Sequence, residues 1–329
     1  MKYIYWLYQL CIAVPVAIIA TVLTAAVTGL GCSIGNGHVW GYYPGRWWSK
    51  VMTRIFLLTV TVEGRENLEK GHSYVFVANH QGMFDIFLIY GYLNRNFKWM
   101  MKHQLRKMPF VGYACAKSHQ IFVDRRSPSK VKKTINDARE TLKDGTSLVV
   151  FPEGARTFTG HMGKFKKGAF LLADELQLPV VPLTINGSFN VMPRTRDWHF
   201  VKWHPLRLTI HQPVYPIGQG PQNIQAVMHQ SYDSVMSALV PEYQGYIENP
   251  DQYWSGIRVE LEGVEPSSKQ GNHTLSTCLF LTLVFVLQQD QDHQLQPYPL
   301  QFHLSHEATA DYSRFSCTAW PTGFGTTSC

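Results

Sequence analysis

The chain of 329 residues is long enough for one large or two ordinary domains, and its apolar content of 45% allows a sizeable core. Six scattered cysteines, without a Cys-x-x-Cys pair or metal-ligand spacing, argue against a metal site and a disulfide framework, and they fit a reducing compartment. The net charge of +7 is uneven: residues 256–329 carry three basic and seven acidic side chains, −4, so the rest carries +11. A basic body predicts an anionic partner, such as a membrane surface, a phosphorylated substrate or nucleic acid.

The N-terminal segment predicts a membrane anchor. No Lys, Arg, Asp or Glu occurs from Tyr3 to Gly45, and Leu7–Leu30 is almost continuously apolar. A helix that crosses a bilayer needs about 20 such residues. A cleaved signal peptide is the alternative, because Lys2 precedes the run, but the run is long for that role.

Aromatic and basic residues are mixed directly after this run, as Trp40, Tyr42, Tyr43, Arg46, Trp47, Trp48, Lys50 and Arg54. The mixture is typical of a membrane–water interface, and its positive charge predicts that this side faces the cytoplasm. Val51–Val62 is mostly apolar but too short to span alone, so it lies in the interface or completes a helical hairpin within one leaflet. Residues 1–62 are therefore predicted to be a membrane anchor and interfacial segment.

Residues 63–254 alternate between strand and helix patterns. The predicted strands are Tyr74–Asn79, Gln120–Asp124, Ser147–Pro152 and Val180–Ile185, and the predicted helices are Met83–Leu93, Ser129–Lys143 and Lys166–Leu176. This order predicts an α/β domain, a mostly parallel sheet flanked by helices. Trp198–Trp203 and Leu206–His211 resemble a late hairpin, and a closing amphipathic helix is predicted from Gln222 to Leu239.

Residues 255–329 have a different composition. They are rich in Gln, Ser, Thr and His, and their apolar run Cys278–Leu287 is too short to span a membrane. We expect this tail to be disordered or to be an unnatural extension of the protein.

The stretch from Ala78 to Asp85 carries the first chemical signal. His80 follows a predicted strand, and Asp85 lies in the first turn of the next predicted helix. Residues five apart do not share a helix face, so the two side chains meet only if His80 lies on a loop over the helix N-terminus. Gln81-Gly82 suits such a bend. A carboxylate on one imidazole nitrogen raises the basicity of the other, which predicts a general base for a hydroxyl group.

Further polar residues lie at or after the predicted strand ends, where open α/β sheets form their sites. Arg125 and Arg156 are the natural pair for a phosphate, because guanidinium groups bind it bidentately. Glu153 repels phosphate, so it is expected to hold an arginine or to accept a substrate hydroxyl. Gly154 allows backbone N–H groups to approach an anion, and Lys102 is a further candidate.

Taken together, these segments resemble a known family. His80-x-x-x-x-Asp85, Phe122-Val123-Asp124-Arg125, Phe151-Pro152-Glu153-Gly154-Ala155-Arg156 and Val181-Pro182-Leu183 occur in the order and spacing of the glycerolipid acyltransferases, particularly those acting on lysophosphatidic acid. The resemblance covers about Trp40–Tyr215. The family often has Thr or Ser at the place of Ala155.

The resemblance implies that the chain transfers a fatty acyl group from a thioester to the sn-2 hydroxyl of 1-acyl-glycerol 3-phosphate, giving phosphatidic acid. His80 is then the general base and Asp85 orients it, while Arg125, Glu153, Gly154, Arg156 and Lys102 hold the glycerol phosphate. No cofactor or metal is implied, only acyl-CoA or acyl-acyl-carrier-protein as co-substrate. The implied location is the inner (plasma) membrane of a bacterial cell, with the catalytic domain in the cytoplasm.

Three alternatives remain open at the level of the sequence. Another lysolipid or glycerol 3-phosphate is a possible acceptor. A thioester or lipid hydrolase would use water held by His80 in place of a lipid hydroxyl. A non-enzymatic protein that binds anionic lipid explains the charge and the anchor, but not the His80–Asp85 spacing; nucleic-acid binding explains only the charge.

Overall fold

We describe the protein from a computed structural model, which places residues 2–108, 110–123, 128–142, 145–194 and 199–247. Within these residues one sheet has seven strands: β1 (Val60–Glu63), β2 (Val75–Ala78), β3 (Phe97–Lys102), β4 (Ile121–Val123), β5 (Ser147–Val150), β6 (Val180–Asn186) and β7 (Leu206–Ile210). Their order is β1-β7-β6-β2-β5-β3-β4. All neighbours are parallel except β6 and β7, so the prediction of a mostly parallel sheet is confirmed.

Helices flank this sheet. They are α1 (Lys2–Tyr8), α2 (Val14–Ile34), α3 (Gly37–Trp40), α4 (Tyr43–Ile55), α5 (Phe84–Tyr92), α6 (Val111–Lys117), α7 (Pro128–Thr141), α8 (Gly168–Leu176), α9 (Ser188–Val191) and α10 (Pro221–Ser237). The four helices predicted within the α/β domain correspond to α5, α7, α8 and α10. The predicted tail, residues 255–329, lies outside the described residues.

The central strands are buried on both faces. Phe76 in β2 packs in one core cluster with α5, whereas its neighbours Val75 and Val77 pack in a second cluster with α8. Successive side chains of a strand point to opposite faces, so one apolar strand supplies both clusters. This two-sided burial fixes β2, and therefore the loop that follows it, between two helical layers.

Two of the seven strands, β1 and β3, were not predicted, and the prediction of a late hairpin is wrong. Leu206–Ile210 pairs parallel with β1 and antiparallel with β6, and the described residues before it, 199–205, form no strand. Val60–Glu63 forms β1, so a helix through Val62 is also wrong. β3 contains Lys98, a polar residue in an apolar run, whose Nζ donates to the Ser118 carbonyl oxygen at 2.8 Å and is buried. Strand partners distant in sequence leave little local pattern.

One helix of the described chain, Lys2–Ile34, is long and apolar enough to cross a membrane, a test that signal sequences and core helices also pass. It includes a π-helical turn at Gln9–Ala13 between α1 and α2. Its buried face consists mostly of small residues, among them Ala13, Ala17, Thr21 and Ala25, whose spacing of four places them in one stripe. Its other face exposes large apolar side chains.

Polar bonds attach this helix to the domain along most of its length. The Gln9 side chain donates to the Val201 carbonyl oxygen at 2.8 Å and accepts the Val201 N–H at 3.0 Å. Further along, the Trp48 indole N–H donates to the Thr21 hydroxyl at 2.9 Å. Near the C-terminal end, Gly29 is so close to Tyr113 that a Cβ would lie 2.8 Å from its ring. The helix is therefore part of the folded body.

Candidate active site

The polar residues singled out in the sequence collect at one edge of the sheet. β2, β5, β3 and β4 are mutually parallel neighbours, so their carboxyl ends share that edge. His80 follows β2, Glu153 follows β5, and Lys102 ends β3 in register with Val123 of β4. Arg125, two residues beyond Val123, lies outside the described residues. The topology thus brings together the loops that follow β2 and β5 and the end of β3.

His80 and Asp85 are in contact, as the spacing predicts. His80 Nδ1 lies 2.8 Å from Asp85 Oδ2, with His80 on the loop and Asp85 in the first turn of α5. The same oxygen accepts the backbone N–H groups of Gln81 at 2.7 Å and Gly82 at 2.9 Å. An ionised carboxylate only accepts hydrogen bonds, so the shared proton belongs to Nδ1 and the lone pair is on Nε2.

Gly82 is required for a reason other than a bend. A Cβ at this position would overlap the hydroxyl and carbonyl oxygens of Ser188, at the start of α9. Gly82 also pairs with Pro193 in an isolated antiparallel bridge, and the Met83 N–H donates to the Met192 carbonyl oxygen at 3.4 Å. The loop N–H groups next to His80 are therefore already bonded within the protein, so an oxyanion needs other donors.

The imidazole ring of His80 is held by an aromatic stack. Its centroid lies 3.8 Å from that of Phe151 with a 10° angle between the rings, and Phe151 stacks in turn on Trp99 at 5.6 Å. Burial lowers the pKa of His80 below its ordinary value, the hydrogen bond and charge of Asp85 oppose this shift, and Arg156 and Arg194 add to it. The net lowering favours the neutral, proton-accepting imidazole near pH 7.

Glu153 stabilises the loop of residues 79–83 between β2 and α5, which we call the histidine loop. Its Oε1 accepts the His80 backbone N–H at 2.6 Å, and its Oε2 accepts the Gly163 N–H at 2.7 Å. Burial raises the pKa of Glu153 from 4.5 to about 8, although both N–H bonds favour ionisation. Both carboxyl oxygens therefore accept hydrogen bonds from the protein's own backbone, and a role as substrate ligand stays a prediction.

The remaining predicted residues of this loop are Gly154 and Arg156. Gly154 adopts φ +82°, a conformation that favours glycine, and its N–H donates to the Phe151 carbonyl oxygen at 3.0 Å. Arg156 is buried, and its positive charge lowers the pKa of His80. The Thr157 N–H, next in the chain, donates to the His80 carbonyl oxygen at 2.9 Å. The segment of residues 151–158 after β5, which we call the arginine loop, is therefore bonded to the histidine loop.

Three residues of this site were not found by sequence reasoning. Phe151 belongs to a quoted motif, but a pattern does not show that its ring lies on His80. Gly163 contributes only a backbone N–H, for which there is no sequence signal. Arg194 lies outside the four motifs, and nothing in its neighbourhood distinguishes it from a surface arginine.

The family model described as Acyltransferase matches residues 59–186. A chloroplast 1-acyl-sn-glycerol-3-phosphate acyltransferase of Brassica napus is 31% identical over 175 residues, 53% of this chain and 50% of that protein. Enzymes of the same name from Saccharomyces cerevisiae and Pseudomonas aeruginosa are 33% and 30% identical, over 59% and 55% of this chain and 64% and 68% of theirs.

This chain spans about half the length of the plant relative. A crystal structure is also similar, that of the 1-acyl-sn-glycerophosphate acyltransferase of Thermotoga maritima, at 25% sequence identity and a TM-score of 0.49. The match covers 67% of this chain and 97% of that one.

Proposed function

The chain belongs to the acyltransferase family, and we propose that it transfers a fatty acyl group from an acyl thioester to the sn-2 hydroxyl of 1-acyl-glycerol 3-phosphate. The product is phosphatidic acid. The observation that carries this proposal is the buried His80–Asp85 pair at the carboxyl edge of the sheet, with its basic neighbour Arg156. The names of the relatives support the choice of acceptor.

The proposed reaction begins at Nε2 of His80. This nitrogen removes the hydroxyl proton of the acceptor while the oxygen forms a bond to the thioester carbonyl carbon. The carbon–sulfur bond then breaks, and the leaving thiolate takes up a proton from the imidazolium. Asp85 holds the ring through Nδ1 and stabilises its charged form during the transfer.

We assign the phosphate of the acceptor to the basic residues of the same edge. Arg156 is buried beside His80, so its charge is little screened by solvent. Lys102 and Arg125 are assigned from the resemblance alone. Phosphate held here places the glycerol hydroxyl near the base, and positioning of this kind lowers the barrier.

Direct transfer, without an acyl-enzyme, is supported because two side chains that could have served as the nucleophile are unsuited to that role. Burial raises the pKa of Cys115 to about 12, so its thiolate is scarce at neutral pH. Gly31-Cys32-Ser33-Ile34-Gly35 matches the Gly-x-Ser-x-Gly pattern of serine esterases. Ser33, however, lies within α2 and not on the strand-to-helix turn that such an esterase needs. Its hydroxyl donates to the Gly29 carbonyl oxygen at 2.8 Å.

Acyl transfer in isolated membranes tests the proposal. We expect phosphatidic acid to form from 1-acyl-glycerol 3-phosphate, and parallel reactions with acyl-CoA and acyl-acyl-carrier-protein identify the donor. Glycerol 3-phosphate and a second lysolipid, offered in the same assay, test the acceptor. Consumption of thioester without phosphatidic acid contradicts the proposal and indicates a hydrolase or a different acceptor.

We further propose that the Lys2–Ile34 helix enters one leaflet of a membrane and leaves the active site on the cytoplasmic side, as at a bacterial inner membrane. Hydrogen bonds hold the helix to the rest of the protein at Gln9 and Thr21, and Gly29 packs closely against Tyr113. The helix therefore cannot cross the bilayer separately from the domain. The face away from the domain exposes large apolar side chains, including Ile19 and Leu23. The interfacial aromatic and basic residues of α4 fit the same orientation.

Replacing Ile19 and Leu23 with aspartate is expected to release the protein from vesicles of anionic phospholipid. Each is 59% exposed on the face proposed to contact lipid, and a charge in the hydrocarbon region is unfavourable, by up to about 2.5–3.5 kcal/mol at its centre. Co-sedimentation with vesicles measures the effect. The matched control is Ile217→Asp, a fully exposed isoleucine distant in sequence from the helix, which should leave binding intact. Equal vesicle binding by the unaltered protein, the variant with both aspartates and Ile217→Asp contradicts insertion of this face.

A further inference from the structure

Arg194 is a buried cation that no predicted motif contains. It is 7% exposed and follows α9 by three residues. Its Nη1 donates to the carbonyl oxygen of Arg156 at 3.1 Å, and its guanidinium carbon lies 4.0 Å from the ring centroid of Phe158. The edge of the guanidinium group thus forms a hydrogen bond to the arginine loop, and its face stacks on a ring of the same loop. Stacking and hydrogen bonding together restrict its position more than either contact alone.

The backbone that carries Arg194 is attached to the other functional loop. Pro193 forms the bridge with Gly82, and the Met192 carbonyl oxygen accepts the Met83 N–H. Arg194 therefore follows a segment that is bonded to the histidine loop, and its side chain contacts the arginine loop. It joins the two loops at a second place, in addition to the bond from the Thr157 N–H to the His80 carbonyl oxygen.

The charges that face His80 come from three elements. Asp85 on α5 raises the pKa of His80, whereas Arg156 and Arg194 lower it in addition to the effect of burial. Glu153 accepts the backbone N–H of His80. Loss of the Arg194 charge is therefore expected to raise the pKa of His80, and loss of Asp85 to lower it.

We propose that Arg194 is a positioning residue for acyl transfer, which fixes Arg156 relative to His80 and so determines how well the acceptor phosphate is held beside the base. The inference rests on the proposed function. Arg194 acts through Arg156 and Phe158, and it is assigned no contact with substrate. A displaced Arg156 weakens the grip on phosphate but not the binding of the thioester.

Steady-state kinetics of Arg194→Gln and Arg194→Lys test this role in the full-length membrane-bound protein. Arg194→Gln should raise the KM for lysophosphatidate about tenfold, the scale of one weakened charge-assisted hydrogen bond, and leave the thioester KM unchanged. It should also move the acidic limb of the kcat/KM profile to higher pH. Arg194→Lys keeps the charge and hence the limb, but recovers the KM only in part, since an ammonium group lacks the planar fork.

Two further variants separate positioning from general stability. Phe158→Leu removes the stacking face while Arg194 remains, so it should raise the acceptor KM without moving the acidic limb. Arg207→Gln, which alters an exposed arginine 3.8 Å from Glu63, is the matched control and should change neither quantity. Unchanged acceptor KM in both Arg194→Gln and Phe158→Leu overturns the proposal, and so does an equal rise in both KM values with a lowered Tm.

A substrate-free measurement separates failure of this inference from failure of the proposed function. The imidazole NMR signal of His80, assigned by its loss in His80→Ala, should titrate at higher pH in Arg194→Gln and at an unchanged pH in Arg194→Lys. If the unaltered protein makes no phosphatidic acid, the proposed function fails whatever this titration shows. An unchanged titration in Arg194→Gln overturns the placement of the Arg194 charge beside His80 even when acyl transfer is observed.

Discussion

Replacing His80 with alanine is expected to reduce acyl transfer to lysophosphatidate by about 10²–10⁴-fold, because a general base of this kind contributes that much to rate. Nε2 carries the lone pair in the observed arrangement, and no described residue forms a hydrogen bond to it. The loss should appear in kcat with little change in either KM, since the histidine acts on the proton in transit and is not proposed to bind phosphate.

Two measurements make this result interpretable. His80→Ala also removes the ring that stacks on Phe151, so vesicle binding and Tm must show that the variant still folds and inserts. The matched control is His72→Ala, which should retain full activity. His72 is exposed, and its Nδ1 lies 3.4 Å from Glu69 Oε2. Activity of His80→Ala equal to that of the unaltered protein would falsify its role as base and direct the search to another proton acceptor at this edge.

Replacing Asp85 with asparagine is expected to lower kcat by up to about 10⁴-fold, the scale seen when a carboxylate behind a catalytic histidine becomes an amide. Asparagine is nearly the same size as aspartate, so it fits the space. Its amide nitrogen takes the place of Asp85 Oδ1, which is buried without a hydrogen-bond partner among the described residues, so the variant also leaves a buried donor without an acceptor. The three donors on Oδ2 keep an acceptor. What is lost is the negative charge that stabilises the imidazolium.

The pH dependence gives this variant a distinct signature. Asp85 raises the pKa of His80 through its hydrogen bond and charge, so Asp85→Asn should lower that pKa and move the acidic limb of the remaining activity to lower pH. Arg194→Gln is expected to move the same limb in the opposite direction. A loss of activity without any movement of the limb, together with a lowered Tm, would show that Asp85 supports only the loop structure.

Local sequence patterns correctly predicted those features that depend on residues close together in the chain. The Tyr74–Asn79 run predicts β2, because a strand buried on both faces needs continuous apolar residues. The five-residue spacing predicts that His80 precedes the helix and Asp85 begins it, because only a loop residue can fold back over a helix N-terminus. The small residues of α2 were present in the sequence, but their packing role required a partner surface.

The sequence by itself determined the α/β order, the His80–Asp85 contact and the family. The tertiary structure alone decided three things: that Leu206–Ile210 pairs with β1 and β6, that Glu153 holds the His80 backbone, and that Arg194 reaches the arginine loop. Each joins residues separated by about 20 to more than 140 positions. Such contacts are set by which surfaces the core brings together, and a neighbouring residue type does not encode them.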